Sequence, residues 1–222
     1  MVVERVAVIG GTGAEGFGLA LRWASAGMEV VIGSRDQGRA EDAAALLRER
    51  VGEAQVSGLL NAEAAAGCST VVVAVPFSGQ AAIYKSLASG LRPNAVVVDC
   101  TVPVEAAVGG KATHVLGVWE GSAAQLAASL VPEGTTLCAA FHTLSASALK
   151  DIDNPLDGDV PVCGPKAGKA VVRELVEAIP KLGFVDAGPL ENARVVEPIT
   201  SLLIGINRRY KTDRAGIRFT GL

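Results

Sequence analysis

The stretch Val6-Ala7-Val8-Ile9-Gly10-Gly11-Thr12-Gly13-Ala14-Glu15-Gly16 constrains the fold more than any other part of the chain. Four apolar residues make a short buried strand, and the glycines that follow contain Gly11-x-Gly13-x-x-Gly16. Phe17 to Ala26 then reads as a helix stopped by Gly27. In a chain with 26 glycines the hexapeptide alone carries little. Set between a strand and a helix, it has a mechanical meaning. Gly11 permits a sharp turn, Gly13 lets the backbone approach a pyrophosphate, and Gly16 lets the helix lie close on the strand. The helix N-terminus offers unpaired N–H groups and positive partial charge to the phosphates. Gly11, Thr12, Gly13, Ala14, Glu15 and Gly16 are therefore expected to hold a dinucleotide.

The second strand, Glu29-Val30-Val31-Ile32, bears on which dinucleotide. A site for NAD usually ends this strand in Asp or Glu, which accepts hydrogen bonds from the ribose hydroxyls. Here the chain reads Gly33-Ser34-Arg35, with Arg39 one helical turn further on. A hydroxyl and a guanidinium suit a 2′-phosphate, which a carboxylate would repel. NADP is therefore the expected cofactor. Asp36 lies close by and can equally cap the helix that follows.

Beyond this point strand and helix patterns alternate. Residues 37–51 form an amphipathic helix, Asn61 is placed to cap a short helix over 62–66, and Val71 to Val75 is a buried strand ended by Pro76. Val75, Pro76 and Phe77 then lie on the edge where doubly wound sheets bind ligands. A helix over 79–89 and a strand over 95–98 follow, the latter leading into Asp99-Cys100-Thr101-Val102-Pro103. Residues 109–120 read as a loop of a length that often covers a ligand. Ser122 caps a helix reaching Leu130, and a strand over 136–141 runs into His142-Thr143. Strands near Val160 and Phe184, a helix over 166–179 between them, and a long helix over 192–210 broken near Pro198 complete the chain. The expected class is α/β: a doubly wound, mostly parallel Rossmann-type sheet of about eight strands, with a short helical C-terminal segment over the cofactor cleft. Residues 1–188 are assigned to the nucleotide-binding domain. Residues 189–222 are too few to fold alone, and are expected to complete the cleft or a dimer interface.

Half of the residues are hydrophobic but only 4% aromatic, which suits a sheet buried on both faces by helices. The net charge of -3 argues against a nucleic-acid or anionic-membrane surface. Cys68, Cys100, Cys138 and Cys163 are far apart and sit in or beside apolar runs, so they read as buried free thiols. With only His114 and His142 besides, no metal site is expected. The first strand begins at once, leaving no room for a signal peptide, and no apolar run has membrane-spanning length. A cytoplasmic chain is the expectation.

A nicotinamide cofactor brings its own hydride chemistry, so the protein must supply position and electrostatics. Among groups at the strand ends, only His142 is placed to act as an acid or base, and it can equally be a structural histidine closing a strand. No Ser/His/Asp set, Lys/Tyr pair or carboxylate dyad stands out. Hydride transfer between two stacked rings needs little else.

The chain resembles the NADPH-dependent coenzyme F420 reductases, or F420:NADP oxidoreductases, over essentially its whole length. The matching pieces are Gly10-Gly11-Thr12-Gly13 with Gly16, Gly33-Ser34-Arg35, Val102-Pro103-Val104 and His142-Thr143. Asp159-Val160-Pro161-Val162-Cys163-Gly164, Asp186-Ala187-Gly188-Pro189-Leu190 and Gly216-Ile217-Arg218-Phe219 match as well. The resemblance implies hydride transfer between NADP(H) and the deazaflavin F420 as co-substrate. It implies NADP contacts at Thr12 to Glu15, Ser34, Arg35, Arg39, Val75 beneath the nicotinamide, the adjoining Pro76, and Ala215. It implies a deazaflavin niche lined by Val102, Pro103, His142, Thr143 and the terminal helix. A hydrogen bond from His142 or Thr143 to the deazaflavin's polar edge is then the expected catalytic contribution, and the apolar stretch Ile199 to Ile206, which needs a cover, makes a homodimer the expected assembly.

Two features depart from the family. Glu15 stands where the archaeal members have a neutral residue, so its carboxyl must turn away from the pyrophosphate. The stretch Arg208-Arg209-Tyr210-Lys211 is more basic than in those relatives; it either meets the anionic tail of F420 or is a solvated helix end. Alternative readings of the whole are an NADPH-dependent reductase of a flavin, imine or small carbonyl compound, and a non-catalytic NADP sensor.

Overall fold

The computed structural model describes residues 3–222. Six parallel strands, β1 (Arg5–Ile9), β2 (Glu29–Ser34), β3 (Val56–Leu60), β4 (Thr70–Val73), β5 (Val96–Asp99) and β6 (Thr136–Ala139), form one sheet in the order β3-β2-β1-β4-β5-β6. The order reverses between β1 and β4, and that crevice is where doubly wound sheets bind dinucleotides. Side-chain alternation builds two cores from the same strands. Val6 and Val8 face α1 (Ala14–Ser25), α2 (Gln37–Val51) and, further along, α7 (Lys166–Glu177). Ala7 and Ile9 face the opposite layer of α3 (Asn61–Gly67), α4 (Phe77–Leu87) and α5 (Ala123–Ala128). With both faces covered, the strands are nearly uninterrupted runs of Val, Ile and Ala, as parallel sheets require.

Among the described residues there are eight strands, as expected, but they divide into six and two. After α6 (Ala146–Lys150), strand β7 (Gly158–Val162) pairs in parallel with β8 (Leu182–Asp186) across α7. This small sheet continues the large one through a single antiparallel bridge, Ala139 to Cys163, closed by N–H to O distances of 2.8 and 3.0 Å. A 3-10 turn at Leu190–Asn192, α8 (Ala193–Val196) and α9 (Ile199–Tyr210) follow, so the expected break near Pro198 is real.

Other boundaries shift. The first helix starts at Ala14, inside the glycine motif, and α4 starts at Phe77, directly after the β4 exit. Asn61 is the first residue of α3, not its cap; the cap position is Leu60. Sequence patterning misses β3, whose Ser57 and Gly58 interrupt the apolar run of a half-buried edge strand. It also misses α6, a helix of 5 residues.

Candidate active site

Apart from Ala215, which lies beyond α9, the expected site residues stand where the chain leaves the C-terminal edge of the large sheet. In register, Ile9 lies between Gly33 and Val73, Val73 beside Asp99, and Asp99 beside Ala139. The β1 exit at Gly10, the β2 exit at Ser34–Arg35, the β4 exit at Val75–Pro76, the β5 exit at Thr101–Pro103 and the β6 exit at His142–Thr143 therefore lie in one row.

The glycine turn is tightly built. Gly10 takes φ +77°, and a Cβ there would meet Ala74 O at 2.4 Å and Val75 Cγ1 at 2.8 Å, so Val75 is brought directly against the turn. A Cβ on Gly16 would lie 2.6 Å from Gly10 O, so only glycine lets α1 settle this close to the β1 exit. Gly13 differs. It is exposed, has an ordinary φ of -79°, and its Cβ would meet only Gly10 O at 3.2 Å. Folding does not demand glycine there, so the demand comes from the space in front of it. The first bond into α1 is Phe17 N–H to Gly13 O at 2.8 Å, which leaves the N–H groups of Ala14, Glu15 and Gly16 ahead of the ladder. Thr12 is half-buried beside them. This open cradle of N–H groups fits a pyrophosphate.

At the β2 exit, Ser34 is buried and its hydroxyl accepts the Asp36 N–H at 3.2 Å. Asp36 caps α2, its carboxylate accepting the Arg39 N–H at 2.8 Å. Asp36 is therefore occupied as a cap. Arg35 and Arg39 are exposed, and neither guanidinium makes an ion pair or hydrogen bond among the described residues. Two unpaired cations beside a hydroxyl fit a 2′-phosphate.

The other end of the row is buried and polar. His142 is 4% exposed, Thr143 2% and Ser201 6%. Among the described residues, both ring nitrogens of His142, Thr143 Oγ1 and Ser201 Oγ have no hydrogen-bond partner. Orphaned buried polar atoms are rare, and those on the adjacent His142 and Thr143 fit a polar ligand edge. Burial pushes the His142 imidazole down to about 4, so the ring is neutral at physiological pH. The backbone just before it is strained: Phe141 takes φ +70°, in the left-handed region that non-glycine residues avoid. The Phe141 ring is held edge-on against buried Trp23 with centroids 5.6 Å apart, and Thr200 donates from Oγ1 to His142 O at 2.7 Å. Val102 and Pro103 are fixed from outside: Leu116 N–H reaches Pro103 O at 2.7 Å and Val104 bridges Val115. The loop over 109–120 thus braces this turn. Ala215 is tied to Asn207 Oδ1 through its N–H at 3.0 Å, and with Thr143 it lines a cavity of about 210 Å³. Pro76 is exposed at the mouth of the row. The basic residues Arg208, Arg209 and Lys211 are exposed at the end of α9.

Sequence reasoning missed a set of buried carboxyls on the same edge. Asp99, fully buried, accepts from Gln80 Nε2 at 2.9 Å, Tyr84 OH at 2.7 Å and Thr101 N–H at 2.9 Å. Glu197, 1% exposed, accepts from the N–H groups of Ala123 and Ala124 at 2.9 and 3.0 Å. The only signal available was a charged residue at the end of an apolar run. Glu15 is half-buried, and its carboxyl interacts with the charge of Asp99 and influences Cys100, so it is directed toward the β5 exit. Burial and then the Asp99 charge push it up to about 8, so it is mainly neutral at pH 7. The carboxyl thus brings little negative charge to the phosphate cradle.

These shifts make a stability prediction. Burial raises Glu197 to about 7. Unfolded glutamates ionise near 4.5, so between about pH 6.5 and 8.5 the folded chain holds protons that the unfolded chain has lost. Stability then falls as pH rises through this window, by about 2 kcal/mol in sum. His142, lowered to about 4, opposes this loss only weakly and only at the lower edge of the window, where part of the unfolded chain's imidazole is still protonated. Urea unfolding at the two ends of the window should show the loss, and Glu15→Gln should flatten the slope; a rise in stability with pH would contradict it.

Among the described residues, no group of three or more His, Cys, Asp or Glu is arranged to hold a metal ion, and no helix is long and apolar enough to cross a membrane. The family described as NADP oxidoreductase coenzyme F420-dependent matches residues 5–103. The F420-dependent NADP reductase of Methanothermobacter thermautotrophicus is 43% identical over 226 residues, covering 100% of this chain and 97% of the relative. The protein of the same name from Methanocaldococcus jannaschii is 38% identical, covering 98% and 99%. A crystal structure from Arthrobacter sp. FB24, assigned to the F420-dependent NADP reductases, superposes with TM-score 0.81 at 23% identity, covering 98% of this chain and 99% of that one. Full-length identity of this order, on a sheet edge carrying the dinucleotide cradle, shows that the chain belongs to the F420-dependent NADP reductase family.

Proposed function

We propose that this protein is an NADP-dependent oxidoreductase that transfers a hydride directly between NADP(H) and coenzyme F420. The observation that carries the reading is the row on the sheet edge, with a phosphate cradle and two unpaired arginines at one end and unpartnered buried polar atoms at the other. The full-length likeness to F420-dependent NADP reductases supports the choice of co-substrate.

In this reading the N–H groups around Thr12, Gly13, Ala14 and Glu15 hold the pyrophosphate, with Gly11 and Gly16 shaping the turn. Ser34, Arg35 and Arg39 hold the 2′-phosphate. Val75, packed against Gly10, supports the nicotinamide, with Pro76 and Ala215 at its borders. Val102, Pro103, His142 and Thr143 line the deazaflavin niche. The two cofactors supply the hydride chemistry itself. These residues would bring the two rings together and shield them from water, which is what direct transfer needs. A neutral His142 can donate one ring N–H to charge developing on the deazaflavin edge, and Thr143 can add a second donor.

Residues 1–188 would form the nucleotide-binding unit, and 189–222 the cover of the niche. Val195 and Leu202 on α8 and α9 are 65% and 62% exposed, an apolar face that suits a homodimer. The four cysteines are all buried and free, which suits a reducing cytoplasm. With a net charge of -3, the working partners are small molecules, with no role for nucleic acid or membrane.

The test is spectroscopic. Mixed with NADPH and oxidised F420, the protein should bleach the deazaflavin's visible absorbance, with NADH or FMN as poor substitutes. Bleaching FMN in preference would overturn the choice of co-substrate. Arg35→Ala should raise the KM for NADPH about 10- to 100-fold, the worth of one charge-assisted contact, and leave that for NADH nearly unchanged. Equal loss for both would remove Arg35 from the 2′-phosphate site.

A further inference from the structure

The buried carboxyls Asp99 and Glu197 are joined by one continuous chain of hydrogen bonds. Gln80 Nε2 donates both to Asp99 Oδ2 at 2.9 Å and to Ala123 O at 3.0 Å. Ala123 N–H donates to Glu197 Oε2 at 2.9 Å, and Ala124 N–H to Oε1 at 3.0 Å. Asp99 Oδ1 accepts Thr101 N–H at 2.9 Å, and its Oδ2 accepts Tyr84 OH at 2.7 Å. Each end of this chain meets one wall of the niche. Thr101 opens the turn that carries Val102 and Pro103. On the other side, Thr200 N–H reaches Glu197 O at 3.2 Å, and Thr200 Oγ1 holds His142 O at 2.7 Å.

Resting on the placement of the deazaflavin between these walls, we propose that Asp99 and Glu197 are positioning residues that set the spacing of the Val102–Pro103 turn and His142. The α5 N-terminus is the shared strut: Gln80 grips its first peptide by the carbonyl and Glu197 by the N–H. Neither carboxyl is needed to fill space. Two buried carboxyls cost folding free energy that apolar residues of similar size would not. Their value lies in direction, since a carboxylate presents two acceptors at fixed angles to two N–H groups. Gln80 and Glu197 lie outside the row that meets the NADP phosphates, and Asp99 acts on it only through the Glu15 carboxyl, so the Glu197 effect should fall on the deazaflavin alone.

Glu197→Gln separates this from a general structural role. The amide has one acceptor oxygen for two N–H groups, so one of them loses its bond and α5 moves from the strut position. The KM for F420 should rise about tenfold or more, the equivalent of one lost charge-assisted bond, while NADPH affinity stays within about twofold. Glu197→Asp keeps both acceptors on a shorter arm and should recover much of the loss. Asp99→Asn, made in a Glu15→Gln background because the Asp99 charge acts on the Glu15 carboxyl, should show the same split between cofactors, and gives a second test if one variant folds poorly. Equal weakening of both cofactors, or no change in either, would overturn the proposal. His142→Ala serves as the control. If it leaves F420 kinetics intact, the niche itself is misplaced and both readings fall; if it impairs them while Glu197→Gln and Asp99→Asn are normal, only the positioning role falls.

Discussion

Replacing Gly13 by valine should weaken NADPH binding about a thousandfold and leave the protein folded. Gly13 has a φ of -79° that any residue can adopt, and it is exposed. The one contact that a Cβ would make in the protein is with Gly10 O at 3.2 Å, a tight approach that a shift of a few tenths of an ångström relieves. The two methyl groups beyond it would stand in the mouth of the cradle, ahead of the N–H groups of Ala14, Glu15 and Gly16. Losing close approach to those donors forfeits two or three charge-assisted hydrogen bonds, about 4 kcal/mol together. Titration with NADPH beside a thermal melt would separate binding from folding. Gly16→Val is the contrast, because its Cβ would strike backbone at 2.6 Å and should destabilise the fold itself. Binding of NADPH by Gly13→Val within tenfold of wild type would mean that the dinucleotide does not lie on this turn.

His142→Ala should lower the single-turnover rate of hydride transfer about a hundredfold, the usual worth of one preorganised donor at developing charge. NADPH affinity should hardly move, because His142 stands at the β6 exit, two strands beyond the β4 exit that borders the cradle. The structure gives the imidazole the properties this needs. It is buried, neutral through a pKa pushed down to about 4, and both nitrogens lack partners among the described residues. A purely structural histidine would have used at least one nitrogen to bond the backbone. The strained Phe141 beside it, braced on Trp23, is consistent with a fixed orientation held at some cost. Loss of NADPH affinity in parallel with the rate would contradict the role.

The fold was legible where the chain is buried on both faces. Val6 to Ile9, Val30 to Ile32 and Val71 to Val73 have no polar interruption, and the glycine motif told where the first of them turns. Strand β3 was not legible, because an edge strand buries only part of its surface and tolerates Ser57 and Gly58. The division of the sheet into six and two strands depends on one bridge at Ala139–Cys163, a long-range contact with no local signature. At the site, residues on the strand exits could be found by counting from each apolar run, which is how Ser34, Val75 and His142 emerge. Asp99 and Glu197 could not be interpreted that way. Their meaning lies in the two N–H groups of α5 and in the Gln80 amide, which come from distant segments and meet only in the folded chain. The cap role of Asp36 was one of two open readings, and the hydrogen bond to Arg39 N–H decides it.

Direct hydride transfer between two cofactors held on one sheet edge can be followed by isotope transfer. NADPH carrying deuterium at one face of nicotinamide C4 would be mixed with the protein and oxidised F420 for a single turnover. One of the two stereospecifically labelled forms should deliver its deuterium to C5 of the reduced deazaflavin, with none released to water. Label lost to solvent, or reduced F420 free of deuterium from both forms, would contradict it.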